Sequence, residues 1–215
     1  MLNLRMAPVK VSIIVASLLP EFGIGSKGRL PWRLKKDMKF FKEVTSKTAD
    51  QNKKNVVIMG RRTYDSIPKR FRPLKGRLNI ILSRDAEEYR QELKSELQTH
   101  PDTLKIEDSL ERAIQQSKLS PSVEEVFIIG GAQVYNSAIS APGNIVDRIF
   151  LTEIRSSTKV DMDTFLKLDA EQWEKQNVDD LEEYLKSKGL GGEFQLCGNR
   201  EGEYVYNFLL LNKKK

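Results

Sequence analysis

Asn55-Val-Val-Ile-Met-Gly60 runs straight into Arg61-Arg-Thr63, and Pro68 follows five residues later. The apolar run is short and does not alternate with polar residues, which predicts a strand buried on both faces. Arg61 to Ile67 predicts a brief helix that Pro68 stops. A doubly buried strand feeding a helix is the unit of an α/β protein, and the same alternation extends outward in both directions. Upstream, Val9–Ser17 is β-branched and bounded by Pro8 and Pro20, and Leu34–Ser46 has helical spacing. Downstream, Arg77–Ser83, Glu125–Ile129 and Arg148–Ile154 predict strands, and Glu87–Leu97, Ser109–Lys118 and Gln133–Ile139 predict helices. The last third turns acidic and helical over Asp179–Lys188, then alternates from Glu203 to Leu211 as a strand. Asn199–Gly202 is expected to turn that strand back on Phe194–Cys197 as an antiparallel hairpin. The expected architecture is α/β: a single domain over residues 1–215, with a mostly parallel central sheet flanked by helices and an antiparallel C-terminal hairpin edge.

Composition bounds the chemistry. The 215 residues fit one domain of roughly 100–200 residues. With 39% hydrophobic and 31% charged residues, a core forms and wholesale disorder is excluded. One cysteine, Cys197, excludes an internal disulfide and a multi-cysteine zinc site, and one histidine, His100, leaves no multi-histidine metal site or histidine triad. No metal is expected. The net charge of +6 suits an anionic partner. Val11–Leu19 is about half the roughly 20 residues that span a bilayer. Behind Arg5 and Lys10 it superficially resembles a signal peptide, but no small-x-small cleavage site follows. A cytoplasmic protein is expected, and the Lys213–Lys215 tail is expected to be solvated.

Four features carry candidate chemistry. Gly23-Ile-Gly-Ser-Lys-Gly28 matches a dinucleotide fingerprint, but Arg29-Leu-Pro-Trp32 keeps a helix from opening there. An ordinary glycine loop and a mobile loop closing over a ligand both remain open. Asp37 lies along a stripe formed by Leu34, Met38, Phe41 and Val44, with Lys35, Lys39, Lys42 and Glu43 on the polar face. As a first-turn acid it complements the helix dipole; as a lone carboxyl in an apolar pocket it would have a raised pKa and bind an amidine-like heterocycle. Arg61-Arg62-Thr63 and Ser83-Arg84 put donors at strand ends, either as solvated faces or as phosphate contacts. Gly130-Gly131 after Phe127–Ile129 is either a tight turn or a place where backbone meets ligand closely.

Taken in order and spacing, a longer set of segments is specific: Ile14-Val-Ala16, Gly23-Ile-Gly25, Leu30-Pro-Trp32, Asp37-Met-Lys-Phe-Phe41 and Val57-Ile-Met-Gly-Arg-Arg-Thr63. It continues through Ser66-Ile-Pro68, Phe71-Arg-Pro-Leu-Lys-Gly-Arg77, Leu82-Ser-Arg84, Ile128-Ile-Gly-Gly131 with Tyr135, and Asp163-Thr-Phe165. Over nearly its whole length the chain resembles dihydrofolate reductase, and Trp32-Arg-Leu-Lys-Lys36 with the long insertions is most similar to the fungal branch.

The resemblance implies NADPH-dependent reduction of 7,8-dihydrofolate, with antifolates as inhibitors, no obligate nucleic acid, and a monomer. It implies Asp37 as the acid that binds the pterin and promotes protonation of N5, Thr152 as the residue that orients it, and Leu30 and Trp32 beside them. Substrate would meet Ile14, Val15, Met38, Phe41, Ser66, Ile67, Phe71, Leu74, Ile129 (through its carbonyl) and Tyr135, with Arg77 on the glutamate α-carboxylate. NADPH would meet Ala16, Ile24, Gly25, Ser26, Gly28, Arg29, Gly60, Arg61, Arg62, Thr63, Leu82, Ser83 and Arg84. It would also meet Ile129, Gly130, Gly131, Ala132, Gln133, Val134 and Tyr135.

The chain departs from the family pattern at three places. Asp37 is one methylene shorter than the glutamate usual in eukaryotic relatives, Tyr64-Asp65 replaces Trp-Glu, and Asp108 stands where some relatives carry an arginine near the 2′-phosphate. Two other readings remain. One is a pyrimidine reductase of riboflavin synthesis, against which Arg77 and the Asp37–Phe41 stripe argue. The other is a basic nucleic-acid module, which needs exposed stacking aromatics in a basic stripe.

Overall fold

The computed structural model describes residues 8–214. In chain order the elements are β1 (Lys10–Leu18), β2 (Gly23–Gly25), α1 (Lys35–Ser46), β3 (Lys54–Gly60), α2 (Arg61–Ser66), β4 (Arg77–Leu82), α3 (Ala86–Glu92), α4 (Lys94–Thr99) and β5 (Leu104–Glu107). They continue with α5 (Leu110–Leu119), β6 (Val123–Gly130), α6 (Ala132–Ser140), β7 (Arg148–Ser156), β8 (Thr164–Phe165), β9 (Trp173–Lys175), α7 (Val178–Ser187), β10 (Asn199–Glu201) and β11 (Tyr204–Lys213). One sheet holds the strands in the order β10-β11-β7-β1-β6-β3-β4-β5. The pairs from β7 to β5 are parallel, and β11 closes that side antiparallel to β7.

Alternate residues of the central strands feed opposite faces, which is why these runs read as continuously apolar. Val57, Met59 and Ile81 face the layer containing α1 and α7, whereas Val56, Ile58 and Ile80 face α5 and α6. The parallel strands end together on one side, and the segments that follow them there carry Arg61–Thr63, Ser83–Arg84 and the Gly130–Gly131 pair.

Four local expectations need correction. The expected Glu87–Leu97 helix bends at Leu93 into α3 and α4. Leu93 keeps its bonds to Tyr89 and Leu97 while burying its side chain, so packing bends the axis without ending it. In the C-terminal hairpin, Asn199–Glu201 is itself the partner strand, with Glu201 opposite Tyr204. The turn falls at Gly202, whose φ of 59° suits a two-residue hairpin, and Phe194–Cys197 meets β11 through Phe208, whose N–H donates to Leu196 O and whose ring meets Phe194 edge-on. Third, α1 buries Phe40 and Val44 with Leu34 at its N-cap, while Met38 is exposed. Phe40 wins because its ring stacks on Phe208 of β11 at 4.1 Å. Last, Lys213 is not solvated tail but the end of β11, its Nζ bonded to Gln172. Arg5 and Lys215 lie outside the described residues.

At the amino ends of β1, β6 and β7 a buried charge cluster ties α7 to the sheet. Glu125 accepts from Arg148 at 2.6 Å, from Ser12 at 2.5 Å and from Tyr184 of α7 at 3.0 Å. Lys188, just past α7, bonds Glu124 and lies 3.7 Å from Glu125.

Candidate active site

Asp37 sits in the first turn of α1 with its carboxyl turned inward. Thr152 Oγ1 donates to Asp37 Oδ1 at 2.7 Å. Thr152 is held rigidly: it lies mid-β7, buried, between Ala16 of β1 and Phe208 of β11. Burial pushes the Asp37 pKa from 3.8 up to about 6; the Thr152 bond works against that rise and the charge of Glu201 adds to it. The group therefore exchanges its proton close to neutrality, a property of carboxyls that do chemistry. Nearby, Tyr135 of α6 donates its hydroxyl to Ile14 O at 2.9 Å, joining β1 to α6. Trp32 is buried, and its indole N–H has no partner among the described residues.

Arg77 opens β4 and is 4% exposed. Its Nη1 donates to Thr45 Oγ1 at 2.7 Å and its Nε to Lys75 O at 3.0 Å, and the guanidinium lies 6.0 Å from the Phe41 ring. Burial lowers its pKa to about 10, against a smaller upward pull from Glu43. Among the described residues no carboxylate forms a salt bridge with it. A buried guanidinium without a counter-ion is costly, and an anion brought to it would offset that cost. Phe41, Ile67 and Leu74 pack half-buried on the adjoining core, and Met38 and Phe71 are exposed. Of these, Phe41 borders the Arg77 guanidinium and shares α1 with Asp37.

The remaining donors gather at the strand ends. Gly131 caps α6, and a Cβ there would come 3.3 Å from Thr63 Oγ1. Gly130 has φ 114°, and a Cβ would lie 3.0 Å from the Tyr135 ring; the Gly130–Gly131 peptide is cis. Ile129 ends the buried run before this pair, and Gly60 abuts Val134 at 3.3 Å to a notional Cβ. Arg61, Arg62 and Arg84 are exposed, and none is ion-paired among the described residues, whereas Arg72, Arg90, Arg112 and Arg148 are. Ser83 is buried at the end of β4, and Asp108 is already paired to Arg112 at 2.7 Å.

No helix opens at the glycine loop, in line with the argument from Pro31. Gly23–Gly25 is β2, and Ser26 and Arg29 exchange backbone bonds around Lys27 and Gly28, both at positive φ. The Lys27 amide donates to Asp163 Oδ2 at 2.7 Å, which fixes the turn. Ile24 is buried, Gly28 and Arg29 are exposed, and so is Leu30.

The Val15 side chain packs on the opposite face of the sheet from Ile14 and Asp37. Ser66 is exposed and spends its hydroxyl on Thr63 O at 2.6 Å. Gln133 points outward, and Ala132 and Leu82 pack partly buried on the second core. Two surface hollows, one beside α5 and one under β8, contain none of these residues. Sequence reasoning missed Thr45, the partner of Arg77, and Glu201, which bonds the start of α1. Thr45 follows Val44 on α1 and was open to the same periodicity argument; Glu201 gave no local signal.

Fold and site define an α/β enzyme whose glycine pair and exposed arginines lie at the carboxyl ends of parallel strands, with its acid on α1 and a buried arginine at the start of β4. The chain belongs to the dihydrofolate reductase family, whose model matches residues 10–189. It is 42% identical to dihydrofolate reductase of Candida albicans, covering 97% of this chain and 100% of that protein. It is 40% identical to the enzyme of Saccharomyces cerevisiae over the same shares. The solved Schistosoma mansoni dihydrofolate reductase superposes with TM-score 0.70 at 31% identity, covering 97% of this chain and all of that one. No group of histidine, cysteine, aspartate or glutamate side chains suited to a metal occurs among the described residues, and no described helix is long and apolar enough to cross a membrane.

Proposed function

We propose that this chain reduces 7,8-dihydrofolate to 5,6,7,8-tetrahydrofolate with NADPH. The observation that carries the reading is the inward Asp37 carboxyl, fixed by Thr152 and shifted toward neutrality, with a buried Arg77, unpaired with any carboxylate among the described residues, held at Thr45 further along the same helix. Asp37 suits the N3–H and 2-amino group of a pterin, which present two donors to one carboxylate. The same group raises the proton affinity of N5, with water carrying the proton. The Trp32 N–H, without a partner among the described residues, would suit such a water. Arg77 takes the glutamate α-carboxylate, and Phe41, Ile67 and Leu74 exclude water from the rings. The donor set fits a dinucleotide phosphate chain: Thr63 and the Gly130–Gly131 backbone make close approach, and the exposed Arg61, Arg62 and Arg84 are not ion-paired among the described residues. NADPH, when bound, supplies the hydride delivered to pterin C6. The β2 turn held by Asp163 shelters the nicotinamide side.

The exposed Cys197, with no possible partner in the chain, fits a reducing cytoplasm. A monomer and sensitivity to antifolates complete the reading. The test is loss of reduced-nicotinamide absorbance with and without dihydrofolate. Substrate-dependent oxidation of NADPH, faster than of NADH, is expected. Oxidation indifferent to dihydrofolate would refute the assignment.

A further inference from the structure

Helix α1 carries Asp37 in its first turn yet supplies no cap of its own, because Leu34 at its N-cap offers no side-chain acceptor. The cap comes from far along the chain. Glu201, the last residue of β10, accepts the Lys35 amide at 2.7 Å and the Lys36 amide at 3.1 Å. Its carboxylate is itself held by the hydroxyl of Tyr206, a fully buried side chain of β11. Lys36 Nζ adds a bond to Asn199 on the same hairpin at 3.3 Å. Both oxygens of one carboxylate therefore fix where α1 begins, two residues before Asp37.

We infer that Glu201 is a positioning residue of the reaction, acting through Asp37 by capping α1 and by placing a second carboxylate charge behind that acid. The inference rests on the reading of Asp37 as the pterin-binding acid. Among the described residues the titratable groups facing Asp37 are Tyr135 from α6, Tyr206 from β11 and Glu201 from β10, with Thr152 the neutral donor from β7; the charge of Lys36 acts on Glu201. Burial raises both tyrosines well above the assay range, so they stay neutral. Desolvation works against ionised Glu201, but the Tyr206 hydroxyl and the two amides outweigh it and keep its pKa below the ordinary value. Glu201 thus holds a constant charge while Asp37 titrates.

The test is the pH profile of hydride transfer in single turnovers of the full chain, with dihydrofolate and NADPH affinities measured alongside. Glu201→Gln keeps the shape and removes the charge. Its midpoint is expected to fall by about half to one pH unit, since a like charge no longer disfavours ionised Asp37. Dihydrofolate binding should weaken several-fold and NADPH binding should not change. Glu201→Asp retains the charge with a shorter reach. It should return the midpoint to the wild-type value while still weakening dihydrofolate binding, and it carries the test by itself if the glutamine variant does not fold. An unmoved midpoint in Glu201→Gln, or an equal fall in Glu201→Asp, overturns the inference. Asp37→Asn separates the two levels. If that variant keeps the wild-type midpoint, the acid assignment itself fails; if it flattens the profile while Glu201→Gln changes nothing, only the role of Glu201 is lost.

Discussion

Replacing Asp37 with asparagine should make the ligand-free protein more stable and the enzyme nearly inactive. Burial raises the Asp37 pKa from 3.8 to about 6. A raised carboxyl pKa means the folded chain holds this proton more tightly than the unfolded chain. Its contribution to stability is therefore fully present below pH 3.8, declines as pH rises, and is lost above about pH 6. At roughly 1.4 kcal/mol for each tenfold change, the rise corresponds to about 3 kcal/mol. Asp37 keeps some contact with water, so about 2 kcal/mol is the expected gain at pH 7.5. Asparagine is isosteric and still accepts the Thr152 hydroxyl, so geometry is not the cause. Turnover of dihydrofolate at neutral pH should fall by about 10²–10⁴. Urea denaturation of wild type and variant at pH 4 and pH 7.5 gives the answer. A stability gap that is the same at both pH values would refute the argument that desolvation of the charged form sets this group's pKa.

Arg77→Leu should weaken dihydrofolate binding by about tenfold to a hundredfold. A pteridine without the glutamate should lose little, and equal losses for both ligands in calorimetry would remove the anchoring role. Gly130→Ala forces a side chain onto φ 114° and against Tyr135, so NADPH affinity should drop at least about tenfold and stability by about 1–3 kcal/mol. Unchanged NADPH binding by fluorescence would argue against close backbone approach there. Glu125→Leu strips Arg148 of its ion-pair partner at the far end of the strands. It should cost about 3 kcal/mol in urea unfolding and leave turnover intact.

The parts visible in the sequence were those whose cause is local. Val56–Met59 announces a doubly buried strand because every residue is apolar, and Gly130-Gly131 marks a special backbone position while leaving open whether it is a tight turn or a close approach. Asp37 stood out because an acid interrupts an apolar stripe. Which aromatic of the Phe40-Phe41 pair faces the core was not readable, since both fit the helical period and only Phe208 decides. The strand character of Asn199–Glu201 was hidden in a polar stretch that also reads as a turn. Glu201 was invisible as a helix cap for the same kind of reason: capping signals are sought within three residues of a helix start, and this one arrives from the other end of the chain. Arg77 was singled out as an anchor by resemblance, but its support by Thr45 depends on how α1 lies against β4.

The C-terminal hairpin gives the order of synthesis a physical meaning. Until Tyr204–Lys213 leaves the ribosome, β7 is a bare edge with a ladder of unsatisfied amides and carbonyls, the kind of surface that recruits neighbouring chains into aggregates. The helix bearing the acid is by then long made but has no lid on its first amides. A premature stop ahead of this segment would thus leave a protein with nearly every ligand-facing residue in hand, sticky along one flank and loose where its proton chemistry begins.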